Sequence, residues 1–184
     1  VRNACRRHLD DLKKGKSRGL WFDPAAAYNA IDFFQSALKL AQKFDGLPFI
    51  PHPSQEFILG SLFGWKRGAH RRFRRAYIEQ GKGNGKSPIA AGIGMFMLLA
   101  DGEKGAEVYA GASQKSQAMV LFRDAVAMWR QSPALASRLT PSGGNPIWNL
   151  ADLKTGSFFR PISTDEAHSG PRPSCALLDE IHEH

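Results

Sequence analysis

Gln80-Gly81-Lys82-Gly83-Asn84-Gly85-Lys86-Ser87 places three glycines within five positions and follows them with Lys-Ser. A short apolar run, Ala76-Tyr77-Ile78, precedes it, and a small-residue apolar segment, 89–100, comes after. Strand, glycine turn, Lys-Ser and helix in that order form a cradle for a polyphosphate. Glycines let the backbone curl so that successive N–H groups point inward at phosphate oxygens. The following helix aims its positive N-terminal end at the same place. In such a cradle the amides of Gly81, Gly83, Asn84 and Gly85 hold the phosphates. Lys86 reaches the β- and γ-phosphates, and the Ser87 hydroxyl ligates Mg²⁺. The pattern departs from G-x-x-x-x-G-K-[ST]: Gln80 stands where the first glycine belongs, and Gly81 comes one place late. Pro88 fits a first helical turn, where a missing N–H removes nothing the helix needs. The plainer alternative is a glycine-rich hairpin with an exposed lysine.

A second stretch bears on that alternative. Ser174-Cys175-Ala176-Leu177-Leu178 is an apolar run, and Asp179-Glu180-Ile181-His182-Glu183 follows it. Strands of a parallel sheet are buried on both faces and read as continuous apolar runs. Two acids at the end of such a strand are what a phosphate loop requires. Asp179 is expected beside Mg²⁺, and Glu180 to orient and polarise the attacking water. The two stretches together predict a nucleoside triphosphatase that uses Mg²⁺ as its cofactor.

The chain has 184 residues, 42% of them hydrophobic, enough for one good core. A sheet of this class has further strands beyond its acid pair, so the sequence reads as part of a longer protein. The formal net charge of +8 favours a polyanionic partner, because Lys and Arg release counterions from nucleic acid. Cys5 and Cys175 have neither metal-site nor disulfide spacing, which suits a reducing cytoplasm. The longest apolar run, 89–100, is too short to span a bilayer, so no membrane association is expected.

Along the chain, 1–19 is strongly basic, and Val1, Cys5, Leu9 and Leu12 at helical spacing predict an apolar stripe closed by Gly15. Asp23 and Pro24 open a second helix, 24–44, with Ala27, Ala30, Ile31 and Phe34 on its apolar face. A proline-rich connector leads to a helix over 55–63, with Ser54 as its cap. The segment 66–75 is the densest in positive charge and leads into a first core strand at 76–78. Further on, the pattern predicts a strand over 107–112 and a helix over 114–131 capped by Ser113. A Gly/Pro loop at 140–146 and paired strands at 148–153 and 156–162 follow, then a loop over 164–173. Strands alternating with helices argue for an α/β fold with a parallel sheet flanked by helices. The expected division is a helical N-terminal part, 1–65, and an ATPase core, 66–184.

These residues resemble the ATPase part of the large terminase subunit of tailed bacteriophages. Pro53-Ser-Gln-Glu-Phe-Ile-Leu-Gly-Ser-Leu-Phe-Gly-Trp65 is similar to that family's adenine-side motif, with Gln55 in the adenine-reading place. A glutamine amide, donor and acceptor at once, suits an adenine edge. Lys82-Gly-Asn-Gly-Lys-Ser87 resembles the family's deviant phosphate loop, in which Lys82 takes a place where arginine is common. Tyr109-Ala-Gly-Ala-Ser113, Ser169-Gly170 and Leu177-Leu-Asp-Glu-Ile-His-Glu183 resemble the regions that follow.

The resemblance implies a P-loop NTPase fold of the ASCE type and a motor that drives double-stranded DNA into a capsid. It implies a homo-oligomeric ring on a portal protein, a small terminase subunit as helper, and work in the bacterial host cytoplasm. In it Lys86, Lys82 and Glu180 are catalytic, and Ser87 and Asp179 bind the metal. Arg160 and Arg172 are both candidates for an arginine finger. Asp179-Glu180-Ile181-His182 also has the D-E-x-H form of nucleic-acid helicases, which is the alternative reading. A prophage remnant that binds ATP or DNA without turnover is a third.

Overall fold

The computed structural model describes residues 1–40, 46–81, 83–163 and 170–179. The chain forms two compact units, 1–35 with 50–79 and 36–49 with 80–184.

The first unit begins with α1 (Arg2–Lys14) and a 3-10 turn (Gly15–Arg18) that Gly19 closes in the left-handed region, φ 67°. The stripe predicted on α1 lies in solvent: Leu9 and Leu12 are 57% and 52% exposed. The inward face is polar instead. Asp11 is buried between the guanidinium groups of Arg18 and Arg72. His8 Nδ1 accepts a 3.0 Å bond from the Trp65 indole N–H. A carboxylate with two arginine partners can be buried where an unpaired one cannot.

β1 (Leu20–Phe22), β2 (Trp65–Arg67) and β3 (His70–Arg71) form an antiparallel sheet in the order β1-β2-β3. The N-terminal part is therefore not purely helical, and 66–79 stay with it rather than with the second unit. α2 (Pro24–Ala37) starts as predicted, with the Asp23 carboxylate accepting from the Ala26 amide at 3.0 Å. It stops earlier than predicted. Leu38 and Phe49 are buried, and the Phe49 amide donates to the Leu38 carbonyl at 3.0 Å. The rest of the predicted extension, 41–45, lies outside the described residues. α3 (Pro53–Gly64) is capped by His52, not Ser54. Residues 76–78 form no strand; Tyr77 is 74% exposed.

The second unit is built on a five-stranded sheet, β5-β6-β7-β4-β8, of β5 (Thr140–Ser142), β6 (Asn149–Asp152), β7 (Ser157–Ser163), β4 (Glu107–Ala112) and β8 (Cys175–Leu178). β4 pairs in parallel with both β7 and β8. β6 pairs antiparallel with both β5 and β7, so the sheet is mixed rather than wholly parallel, and part of the predicted 140–146 loop is β5. Among the helices, α5 (Lys115–Gln131) begins after Gln114, not Ser113, and α6 (Pro133–Ala136) follows it.

α4 (Lys86–Leu99) is apolar nearly all round, as a buried helix must be. Its glycine at 94 lets it approach the sheet closely: an added Cβ would lie 2.6 Å from the Phe159 ring. Phe159 also meets Phe122 of α5 edge-on at 5.2 Å. The two helices thus pack on the sheet face that carries Phe159. Among the described residues no helix is long and apolar enough to cross a membrane.

Candidate active site

The glycine loop belongs to the second unit and runs directly into α4. Two of its glycines have left-handed backbones, Gly83 at φ 84° and Gly85 at φ 75°, a region that costs any residue with a Cβ. Gly85 is the N-cap, so Lys86 and Ser87 are the first two helical residues. The predicted helix therefore starts three residues earlier than the apolar pattern implied. Asn84 braces the turn: its side-chain amide donates to the Gly81 carbonyl at 3.1 Å. Gly81 is not left-handed, and a Cβ there would meet only the Asn84 side chain, at 3.1 Å. The offset of the first glycine is thus tolerable, because the curl is made at 83 and 85. The Gln80 side-chain oxygen is buried and accepts no hydrogen bond among the described residues.

β8 brings Asp179 to this helix end. The Ser87 hydroxyl donates a 2.7 Å hydrogen bond to Asp179 Oδ2, joining residues 92 apart in sequence. Both predicted metal ligands therefore meet, and both are half-buried. They offer oxygen donors only, and among the described residues no cluster of three or more His, Cys, Asp or Glu could hold a metal ion. That set suits a hard divalent cation that completes its shell with water and phosphate oxygens.

Asp124 of α5 adds a further negative charge. Burial first, and then repulsion from Asp179, push its carboxyl up to about 6. Sequence reasoning missed it. The available signal was an aspartate between Leu121-Phe122 and Ala125-Val126, on a helix whose neighbouring positions are apolar.

Gln55 lies in the first unit, on the first turn of α3. Its side-chain oxygen accepts from the His52 amide at 2.9 Å and completes a capping box, which leaves the amide NH₂ as a donor. Glu180 and Lys82 lie outside the described residues. Arg160 is held over the rings of Phe158 and Tyr109, with its guanidinium carbon 4.6 and 5.4 Å from their centroids. Arg172 is exposed, and its backbone N–H donates to the Glu107 carboxylate at 2.8 Å. That bond, with the Tyr109 hydroxyl as a second donor, holds Glu107 below the usual carboxylate range.

The fold is similar to that in the crystal structure of the HK97 bacteriophage large terminase, with a TM-score of 0.67 and 22% sequence identity. The likeness covers 83% of this chain and 30% of that one, so the chain spans under a third of that terminase's length. No curated relative matches the chain. A family model described as "Terminase large subunit, ATPase domain" matches residues 53–184. The match takes in the glycine loop, α4 and the acid-bearing strand, and it spans well over half of the sequence. On that extent the chain belongs to the terminase large subunit ATPase-domain family.

Proposed function

We propose that this chain is the ATP-hydrolysing part of a motor that drives double-stranded DNA into a preformed bacteriophage capsid. Family membership favours this over a helicase or a remnant without turnover. The observation that carries the catalytic reading is the 2.7 Å bond from Ser87 to Asp179, which sets a hydroxyl and a carboxylate side by side at the N-terminus of α4.

In this reading the loop amides and Lys86 hold the triphosphate, with the positive end of α4 behind them. Ser87 and Asp179 hold Mg²⁺, the carboxylate directly or through water. When bound, the ion offsets charge that develops on the phosphates. Glu180 follows Asp179 in sequence; it aligns and polarises the attacking water. Lys82 adds positive charge from the loop, and Gln55 reads the adenine edge through its free amide donor. The assembled protein works as a ring on a portal, with a small terminase subunit, in the host cytoplasm. A neighbouring subunit supplies an arginine, which in such assemblies is worth about 10³–10⁵ in rate.

The test uses the full-length protein. Lys86→Ala and Glu180→Ala each abolish ATP turnover, and the Glu180→Ala protein still binds ATP. Hydrolysis retained in a clean Glu180→Ala preparation refutes the role given to that carboxylate.

A further inference from the structure

A cleft of about 610 Å³ opens in the second unit between the start of α5, the β5–β6 connection and β7. None of the described glycine-loop residues lines it, nor does Asp179. One wall carries Lys115 and Ser116 on the first turn of α5, and another carries Arg160 of β7. Trp148 stands opposite, 43% exposed. Its indole lies close against Gly143: a Cβ added there would fall 1.7 Å from the ring. The Trp148 amide is also tied to the Ser142 carbonyl at 3.1 Å. The cleft therefore has a fixed aromatic side.

The charge in it is of one sign. Among the described residues that line the cleft none is acidic. Arg160 is fixed in place by the rings of Phe158 and Tyr109. Glu107, a carboxylate that feels the charge of Arg160, already accepts from the Tyr109 hydroxyl and the Arg172 amide, at 2.8 Å each. One Arg160 N–H donates to the Tyr109 hydroxyl at 3.5 Å, and an arginine stacked on aromatic faces keeps the rest of its N–H edge for a planar or tetrahedral anion. The N-terminal end of α5 adds field of the same sign. Lys115 follows β4, and Ile162 lies near the end of β7, so the cleft sits at the carboxyl ends of the parallel strands, where such sheets bind ligands.

We propose that this cleft binds the phosphodiester backbone of DNA, with Lys115 and Arg160 on phosphates and Trp148 packed against the sugar edge. The inference rests on the packaging reading for the identity of the polymer. It goes beyond that reading by assigning the contact to a surface apart from the nucleotide loop. Two cations on separate walls, with an aromatic between, match a chain of regularly spaced phosphates better than one small anion.

The experiment is fluorescence anisotropy of a labelled linear duplex with the full-length protein, titrated over a range of salt. Lys115→Ala and Arg160→Gln each weaken binding several-fold and reduce the slope of log K against log salt by about 1. Trp148→Ala weakens binding at unchanged slope. Arg160→Lys keeps the charge and so keeps the slope, which separates lost contact from misfolding. Lys154→Ala, an exposed cation on the β6–β7 turn, changes neither quantity. Wild-type affinity and slope in the Lys115 and Arg160 variants overturn the assignment while leaving the packaging reading intact. A wild-type protein that binds no duplex overturns both. Tight, saturable quenching of Trp148 by inorganic tripolyphosphate gives the cleft to a small anion and also overturns the proposal.

Discussion

The hydroxyl of Ser87 and the carboxylate of Asp179 lie 2.7 Å apart, one at the start of α4 and the other at the end of β8. A bond of this kind, half-buried and accepted by an ionised group, contributes about 1.5 kcal/mol. Ser87→Ala and Asp179→Ala are expected to destabilise the nucleotide-free protein by similar amounts. The double variant is expected to lose little more than either single one, because both remove the same contact. Urea denaturation of the set measures this; fully additive losses mean that the pair does not interact in solution.

Gly85→Ala and Gly81→Ala separate the backbone geometry of the loop from its composition. Gly85 has φ 75°, so an alanine there is strained by about 1–2 kcal/mol and disturbs the curl of the loop. At position 81 the new methyl meets only the Asn84 side chain. Isothermal titration with a nucleotide triphosphate is expected to show binding lost at 85 and largely kept at 81. Equal losses at both sites would mean that composition rather than curl governs the loop.

The same contrast shows what was legible before any coordinates. The acid-bearing strand and the strand at 107–112 were read to within a residue, because both are short apolar runs. β4 is buried as a parallel strand between neighbours demands, whereas β8, last in the described sheet, is half-exposed, with Leu178 57% exposed, and is not buried on both faces as expected. The glycines of the loop were legible for a local reason: Gly83 and Gly85 adopt the left-handed backbone that a Cβ disfavours. Three readings failed where distant partners decide. The helical spacing of Leu9 and Leu12 pointed to the wrong face of α1, because Arg72 and Arg18 make it possible to bury Asp11 instead. α2 yields at Leu38 to pairing with Phe49, although helix propensity continues past that point. The apolar run at 76–78 resembled a strand, yet a strand needs a neighbour, and composition does not name one. Asp124 escaped because what raises its carboxyl, burial first and then Asp179 in another element, is not set by its own sequence neighbours.

Asp11 carries the strongest stability prediction in the first unit. Burial alone raises its carboxyl, but hydrogen bonds and charge from Arg72 and Arg18 outweigh that and hold it below the usual range. Asp11→Ala leaves Arg72 half-covered over Trp65 and Phe73 without its anion, and is expected to cost about 3 kcal/mol. A depressed folded value means the contribution is present above the unfolded value near 4 and is lost as the pH falls through the folded one. Wild type and Asp11→Ala should therefore differ most at neutral pH and converge in acid. A gap that holds constant down the pH range shows that the loss is one of packing rather than charge.

Asp124 is expected to do the reverse. Its carboxyl is pushed up to about 6 by burial and by Asp179, so the folded state holds a proton that the unfolded chain has already released. The unfolded chain therefore binds fewer protons between about 4 and 6, and stability declines as the pH rises through that window. Asp124→Asn removes the charge that causes the decline. The full shift corresponds to about 3 kcal/mol, but the carboxyl is only half-buried and solvent screens it, so a gain of about 1 kcal/mol at pH 7 is expected. That gain should vanish near pH 4. Asp179→Asn should bring the Asp124 titration down part of the way, because the repulsion goes while the burial stays. Thermal denaturation and carboxyl NMR across this range check both statements. An Asp124→Asn gain that persists unchanged at pH 4 would show that it does not come from the charge of Asp124, and an Asp124 titration unmoved by Asp179→Asn would show that the two carboxylates are not coupled.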